Sequence, residues 1–304
     1  MTHSHRPPLT HIALTFVASV IITGQSSVNS EMTGFTKNPT FTAVLVFVTG
    51  LVSALVVVIV QPKARQALRV IPRLLNSGVI RWWHLLGGLS GATFVLMQSD
   101  LVSVTGVAVF TIAAVAGQTT GALVVDKFGF GPAGKQAITF RRVVSALVGI
   151  FGVVLSVIGS TKEGQFAFLA VTLTFLAGCF VSIQPALNGQ VAVRSGHAMA
   201  ATVVNFIVGL AALGAVLALN TARGSAEIVV PPMPWENPLV WLGGPFGVFF
   251  VMVAASMART LGVFVFTLTS VMGQLSGAIL MNFVFPDQAI AITPALITGL
   301  VLTG

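Results

Sequence analysis

Among the side-chain amides inside long apolar stretches of this 304-residue sequence, six are the groups best placed to do chemistry. They are Gln25, Asn29, Gln118, Gln184, Asn188 and Gln274. Each amide offers two hydrogen-bond donors and an acceptor, and burying it in hydrocarbon is costly unless it finds a partner. Two interpretations stay open. The amides line the path of a substrate, or they join neighbouring helices by hydrogen bonds.

The residues needed for catalysis are missing from the same stretches. No Asp, Glu, Lys or Arg lies near the middle of an apolar run, and Asp100 and Asp126 lie at the ends of two of them. The sequence contains no metal-ligand cluster, phosphate-binding loop or nucleophile–base arrangement. The single cysteine, Cys179, excludes a disulfide within the chain. We therefore expect neither an enzyme nor a cofactor or metal site.

The composition is that of a membrane protein. The chain is 55% hydrophobic and 7% charged, with a mean hydropathy of +0.98. Apolar runs of about 17 to 25 residues recur, which is the length that crosses about 30 Å of hydrocarbon as a helix. The net charge of +8 does not indicate nucleic acid, because the basic residues lie in short loops between the runs, where membrane orientation explains them. We expect an all-α polytopic protein whose partners are membrane lipids and a small-molecule substrate.

The sequence contains an internal duplication. The stretch Gly106–Ala122 recurs at Gly262–Ala278, an offset of 156, with 10 of 17 positions identical. An offset of 159 places Gln25 on Gln184 and Asn29 on Asn188. The duplication predicts two repeats, residues 1–160 and 161–304.

The apolar runs predict about ten membrane spans, five in each repeat. The first five are about Leu9–Ser30, Pro39–Val60, Trp82–Met97, Val104–Val125 and Val143–Gly159. The second five are about Phe166–Gly189, Met199–Leu219, Pro238–Ala254, Leu261–Phe285 and Ile290–Gly304. The tenth is short, about 15 residues, and we expect that the sequence is truncated there. Between spans two and three, the basic segment Gln61–Arg81 predicts a short amphipathic helix broken near Pro72, or a solvated loop.

The loop charges predict a cytoplasmic N-terminus. With that orientation, 12 of the 15 basic residues lie inside. Five spans is an odd number, so the second repeat is inverted relative to the first, as in many secondary transporters. The inversion predicts two polar clusters on opposite sides of the midplane. The outer one is Gln25, Asn29 and Gln274, and the inner one is Gln184, Asn188 and Gln118. Pro185, beside Gln184, is expected to kink span six.

Three paired motifs resemble the YdcZ-type branch of the drug/metabolite transporter superfamily. They are GG-x-x-G opening spans three and eight, G-Q-x-x-G-A in spans four and nine, and Q-x-x-x-N in spans one and six. The resemblance implies ten spans in two inverted five-helix repeats. It also implies a cavity lined by spans one to four and six to nine, with spans five and ten at the periphery, where a homodimer could form. Members are described as inner-membrane exporters of small molecules.

Aromatic and glycine positions also repeat. Phe94, Phe110, Phe250 and Phe266 are candidate walls of an apolar cavity, although core packing explains each of them more simply. The glycines spaced four apart in spans three, four, eight and nine predict close helix packing.

Together these features predict a secondary transporter in the inner membrane. We expect an exporter of a small neutral or weakly polar organic molecule, working by alternating access between the repeats. The alternatives are an uptake carrier or facilitator, and a non-transporting scaffold or lipid-handling protein. Because no acid lies deep in a span, we expect transport to be uncoupled, or coupled through the charge or proton of the substrate.

Overall fold

Helices make up the regular structure of the described chain. The computed structural model describes residues 8–105, 107–140, 142–147, 150–151, 164–225 and 227–284, and these ranges contain no strand. The long helices are α1 (Leu9–Thr36), α2 (Pro39–Val60), α3 (Pro62–Asn76), α4 (Gly87–Thr105), α5 (Val107–Phe128), α6 (Gly164–Val181), α7 (Ile183–Ser195), α8 (Ala198–Ala222) and α9 (Gly243–Val284). Short 3₁₀ turns, Trp82–Leu86 and Leu239–Trp241, precede α4 and α9.

Six helical stretches of the described chain are long and apolar enough to cross a membrane. Helix α2 has the predicted bounds, and α1 extends beyond its predicted end to Thr36. Of the predicted fifth span, only residues 143–147 and 150–151 are described, and they are helical. The predicted tenth span, Ile290–Gly304, lies outside the described residues, so its length and the expected truncation stay predictions.

The basic segment after α2 is helical, but the predicted break at Pro72 was wrong. Helix α3 continues through Pro72 to Asn76. The proline lies on the exposed side of the helix, where the carbonyl that loses its N–H donor can be hydrated. Ala64, Ala67 and Ile71 form the buried face of α3.

Predicted span six is divided into α6 and α7 by a single turn residue, Ser182. The break lies three residues before Pro185. The proline ring clashes with the carbonyl four residues earlier, at Val181, which is where α6 ends. The sequence therefore predicted the kink, and the residues Gln184 and Asn188 lie on the short helix α7 that follows it.

Helix α9 contains predicted spans eight and nine, separated at Gly262. This glycine has φ 71° and ψ 167°, a conformation that is accessible essentially to glycine alone. Contacts with α1 show that the chain reverses there. Gly243 and then Gly247 of the first segment (residues 243–261) face Asn29 and then Gln25, so this segment runs antiparallel to α1.

The second segment of α9, residues 263–284, runs parallel to α1. Gly273 faces Phe16 and Ser19, and Gly277 faces Thr23. Helix α1 therefore packs along both segments of α9. The face of α1 that carries Gln25 and Asn29 lies against the start of the first segment.

Candidate functional site

The first amide site lies where α1 meets the start of α9. Gln25 Nε2 donates a hydrogen bond to the backbone oxygen of Gly243, with an N–O distance of 2.6 Å. A Cβ placed on Gly247 would lie 2.9 Å from Gln25 Nε2, and one placed on Gly243 would collide with Asn29 Oδ1. The glycines thus allow both amides to approach the backbone of α9. Asn29 Oδ1 is buried and has no hydrogen-bond partner in the described structure.

The second amide site lies where α7 meets the start of α4. A Cβ on Gly91 would lie 2.9 Å from Gln184 Nε2, and one on Gly87 would collide with Asn188 Oδ1. Gln184 and Asn188 therefore meet α4 as Gln25 and Asn29 meet α9, through paired glycines.

Asn205 of α8 joins the two amides of the second site. Its Oδ1 accepts hydrogen bonds from Gln184 Nε2 and from Asn188 Nδ2, both at 2.9 Å. Asn205 is 1% exposed, and a Cβ on Gly88 of α4 would collide with its backbone oxygen. Both lone pairs of this oxygen are used, so the second site is a closed hydrogen-bonded cluster.

The two sites differ at one position. The offset of 159 that relates the amide pairs places Val46 of α2 on Asn205 of α8. Val46 is 5% exposed and its Cγ2 lies near Gly243 and Asn29, where it offers no hydrogen bond. The first site therefore keeps a free buried acceptor, and the second site does not.

The two remaining predicted amides lie on neighbouring helix contacts. Gln274 Nε2 donates to Ser270 Oγ of its own helix at 3.2 Å, and the backbone oxygen of Gln274 accepts from Thr23 Oγ1 at 3.1 Å. Gln118 lies half-buried on α5, with its backbone nitrogen against Gly178 of α6. No hydrogen bond among the described residues joins Gln118 or Gln274 to the paired amides.

The four candidate wall residues form two equivalent ring pairs. Phe94 and Phe110 have centroids 6.0 Å apart, and Phe250 and Phe266 have centroids 6.1 Å apart. Phe110 and Phe266 are each 3% exposed, and Phe266 packs in a core cluster with Ala18. The other member of each pair, Phe94 and Phe250 respectively, is half-buried.

Sequence reasoning missed the burial of Asp126, at the end of α5. This carboxylate is 2% exposed and accepts hydrogen bonds from the backbone N–H groups of Val263 (2.8 Å) and Phe264 (3.1 Å). These are the first residues after the break at Gly262, where a helix has unpaired N–H donors. Arg142 Nη1 lies 3.4 Å from Asp126 Oδ2, and the guanidinium lies over the Phe264 ring.

Asn205 was missed for a related reason. Both Asn205 and Asp126 have counterparts of different chemistry in the other repeat, Val46 and Asn282, so a search for repeated features passes over them. Asn205 is nevertheless an amide inside an apolar run, which is the signal that identified the other six.

Comparison with known families agrees with this helical membrane fold. The family model described as "Putative inner membrane exporter, YdcZ" matches residues 10–155 and 169–304, so the chain belongs to this family. The resemblance found in the paired motifs is confirmed, and the match falls in two parts. The chain is accordingly a multi-pass inner-membrane protein of an exporter family, which is not a family of enzymes.

Two chains of solved structures also match significantly. One of them, from a crystal structure, is 18% identical to this chain, with a TM-score of 0.61 over 97% of this chain and 94% of its own. This likeness supports the fold alone. A search of the curated proteins gave no significant match.

Proposed function

We propose that the chain is a secondary transporter that exports a small neutral or weakly polar organic molecule. The carrying observation is the pair of amide sites, each built from a Gln and an Asn on one helix and two glycines at the start of another. Membership of a family described as exporters supports the direction of transport.

The contacts support two inverted repeats of five spans. In the first half, α1 runs antiparallel to residues 243–261 of α9 and parallel to residues 263–284. In the second half, the α6–α7 unit has the same relation to α4 and α5, since Gly91 and Gly87 meet α7 in descending order while Gly117 and Gly121 meet α6 in ascending order. The first span of each repeat thus packs against the third and fourth spans of the other repeat. This arrangement suits rocking of one repeat against the other.

The membrane orientation predicted from the loop charges assigns each amide site to one half of the membrane. With a cytoplasmic N-terminus, the first amide site lies in the outer half of the membrane and the second in the inner half. The carrier then exposes them alternately to the two aqueous phases.

The chemistry of the first site favours a substrate with a hydrogen-bond donor. Asn29 Oδ1 is a buried acceptor without a partner, and leaving it so costs about 1–3 kcal/mol. A substrate hydroxyl, amide or amine N–H would remove this cost. Among the described residues, Asp126 is the acid that lies buried at a helix contact, and it is already paired. The paired amide sites therefore suit a neutral molecule better than a cation.

A binding screen tests the proposal across many candidate substrates at once. The purified protein is heated in detergent with a library of small neutral compounds that differ in hydrogen-bond donors. Compounds that raise the melting temperature of the wild type should raise that of Asn29→Ala less, because one lost hydrogen bond weakens binding several-fold. Gly34→Ala, on the same helix with no atom within 4 Å of the new Cβ, is the matched control. Equal shifts in wild type and Asn29→Ala for every stabilising compound would refute the site.

A further inference from the structure

Asp126 ties the two halves of the chain together at one end of the molecule. The carboxylate belongs to α5, in the first half, while both N–H groups that it accepts belong to α9, in the second half. Each of its oxygens has one of these donors, and Oδ2 also faces Arg142. Hydrogen bonds to an ionised carboxylate are about twice as strong as those between neutral groups. We call Asp126, Val263 and Phe264 the latch.

The latch depends on the ionised form of the carboxylate. A proton on either oxygen converts that oxygen into a donor, and both neighbouring backbone groups are donors as well. The N–H group at that oxygen would then meet a poorer acceptor, both hydrogen bonds would lose their charge assistance, and the ion pair with Arg142 would lose its attraction. Ionisation therefore closes the latch, and protonation opens it.

Among the described residues, the charged groups close to the latch are cations. Arg142, on the segment that follows α5, lies nearest, and its side chain is 17% exposed, so it separates the carboxylate from solvent. Lys127 is the next residue of α5 and lies over the Phe128 ring, 6.0 Å from its centroid. Lys135 lies beside Gly129, and Arg259 of α9 is exposed one turn before the break. These cations stabilise the ionised, closed form, whereas burial of the carboxyl group opposes ionisation.

The latch is packed against the second amide site. Ala186, which lies between Gln184 and Asn188 on α7, belongs to one core cluster with Val125, Val263 and Phe264. A Cβ on Gly131, in the loop after α5, would lie 3.4 Å from Val263 and 3.8 Å from Ala186. A shift of the second segment of α9 away from Asp126 therefore moves a direct neighbour of the helix that carries Gln184 and Asn188.

We propose that Asp126 is a proton-binding site that controls the opening of this end of the transporter. The inference rests on the proposed function, since it assumes that the two repeats move apart during transport. The bound proton comes from the aqueous phase on the Arg142 side and returns to it, and no other bond is made or broken. The position equivalent to Asp126 in the other repeat is Asn282, a residue that does not titrate. The proton concentration on one side of the membrane thus acts on one end of the molecule.

Hydrogen–deuterium exchange tests the latch without a substrate. The protein in detergent is exchanged between about pH 8 and about pH 3, a range that includes ordinary Asp titration near pH 4. Rates of the peptide that contains Val263 and Phe264 are corrected for the intrinsic pH dependence of exchange. Protection of these two amides should fall roughly ten- to hundredfold as the pH is lowered, because charge-assisted bonds are lost.

Three variants separate titration of Asp126 from general acid unfolding. Asp126→Asn should have low protection at every pH, with no transition. Arg142→Gln keeps the carboxylate but removes its cation, so the latch should open at a higher pH. Glu227→Gln, an exposed acid of a distant loop, should behave as the wild type.

Infrared spectroscopy supplies the second readout in case Asp126→Asn does not fold. The carbonyl band of a protonated carboxyl group should appear in the wild type over the same pH interval as the loss of protection, and at a higher pH in Arg142→Gln. Constant protection of Val263 and Phe264 across the interval would overturn the proposal. A transition at the same pH in wild type and Arg142→Gln would overturn it as well. Neither result would bear on the binding screen, so the two proposals fail separately.

Discussion

Asn29→Ala and Asn188→Ala make the same change at equivalent positions of the two repeats, yet we expect different effects on stability. Asn188 Nδ2 donates to Asn205 Oδ1 at 2.9 Å, and the side chain of Asn188 is buried. Its removal deletes an interhelical hydrogen bond, worth about 0.6 kcal/mol on average and up to about 1.7 kcal/mol in membrane proteins. Asn205 Oδ1 keeps its second donor, Gln184, so no acceptor is left unpaired. With lost packing included, the free energy of unfolding should fall by about 1–2 kcal/mol.

Asn29→Ala removes an acceptor that has no partner. Burial of an unpaired acceptor costs about 1–3 kcal/mol, and the lost packing atoms offset part of the relief. The free energy of unfolding should therefore stay the same or rise by about 1 kcal/mol. If the amides only line the substrate path, neither variant should change stability, and the hydrogen bond of Asn188 alters that expectation.

Equilibrium unfolding in mixed detergent–SDS micelles measures both variants against the wild type. Substrate binding, followed by the thermal shift of the best compound from the screen, should weaken several-fold in Asn29→Ala. Equal destabilisation of the two variants would show that Asn29 has a structural partner like that of Asn188, and would refute the asymmetry between the sites.

Three further predictions concern helix contacts and orientation. Asn205→Val should leave two amide donors unpaired and lower the free energy of unfolding by about 2–4 kcal/mol. Val46→Asn should leave the free energy of unfolding nearly unchanged, and equilibrium unfolding measures both variants. Gly88→Ala should cost about 1–3 kcal/mol, because its Cβ would lie 2.8 Å from a backbone nitrogen of α8. Gly214→Ala, with no atom within 4 Å, should melt at or above the wild-type temperature. A cysteine at Ser225, in a variant without the native cysteine, should react with an impermeant maleimide from outside the cell; reaction only after permeabilisation would reverse the orientation.

The helices were largely predictable because their signals are local and strong. Long apolar runs, Pro39 at the start of α2 and Pro185 after the break in span six each act on their own neighbourhood. Pro72 shows the limit of this reasoning. The cost of a proline inside a helix depends on whether the freed carbonyl meets water, and exposure is a property of the folded structure.

The candidate site was predictable only where the repeats agree. The pairs Gln25–Asn29 and Gln184–Asn188 were identified because the duplication puts them at matching positions. Their different hydrogen bonding follows from Val46 and Asn205, which lie at equivalent positions on the next helix of each repeat but differ in chemistry. The burial of Asp126 likewise depends on the chain reversal at Gly262, 136 residues later, which no local pattern around Asp126 reveals. The homodimer and the division at residue 160 stay predictions.

Release of small molecules from proteoliposomes tests the transport claim most directly. Vesicles containing the wild type, Asn29→Ala or Gly34→Ala are loaded with a mixture of neutral metabolites, and mass spectrometry identifies what leaves each of them. The account predicts that wild type and Gly34→Ala release the same few compounds with hydrogen-bond donors, and that Asn29→Ala releases them several-fold more slowly. Identical release from all three and from protein-free vesicles would contradict it.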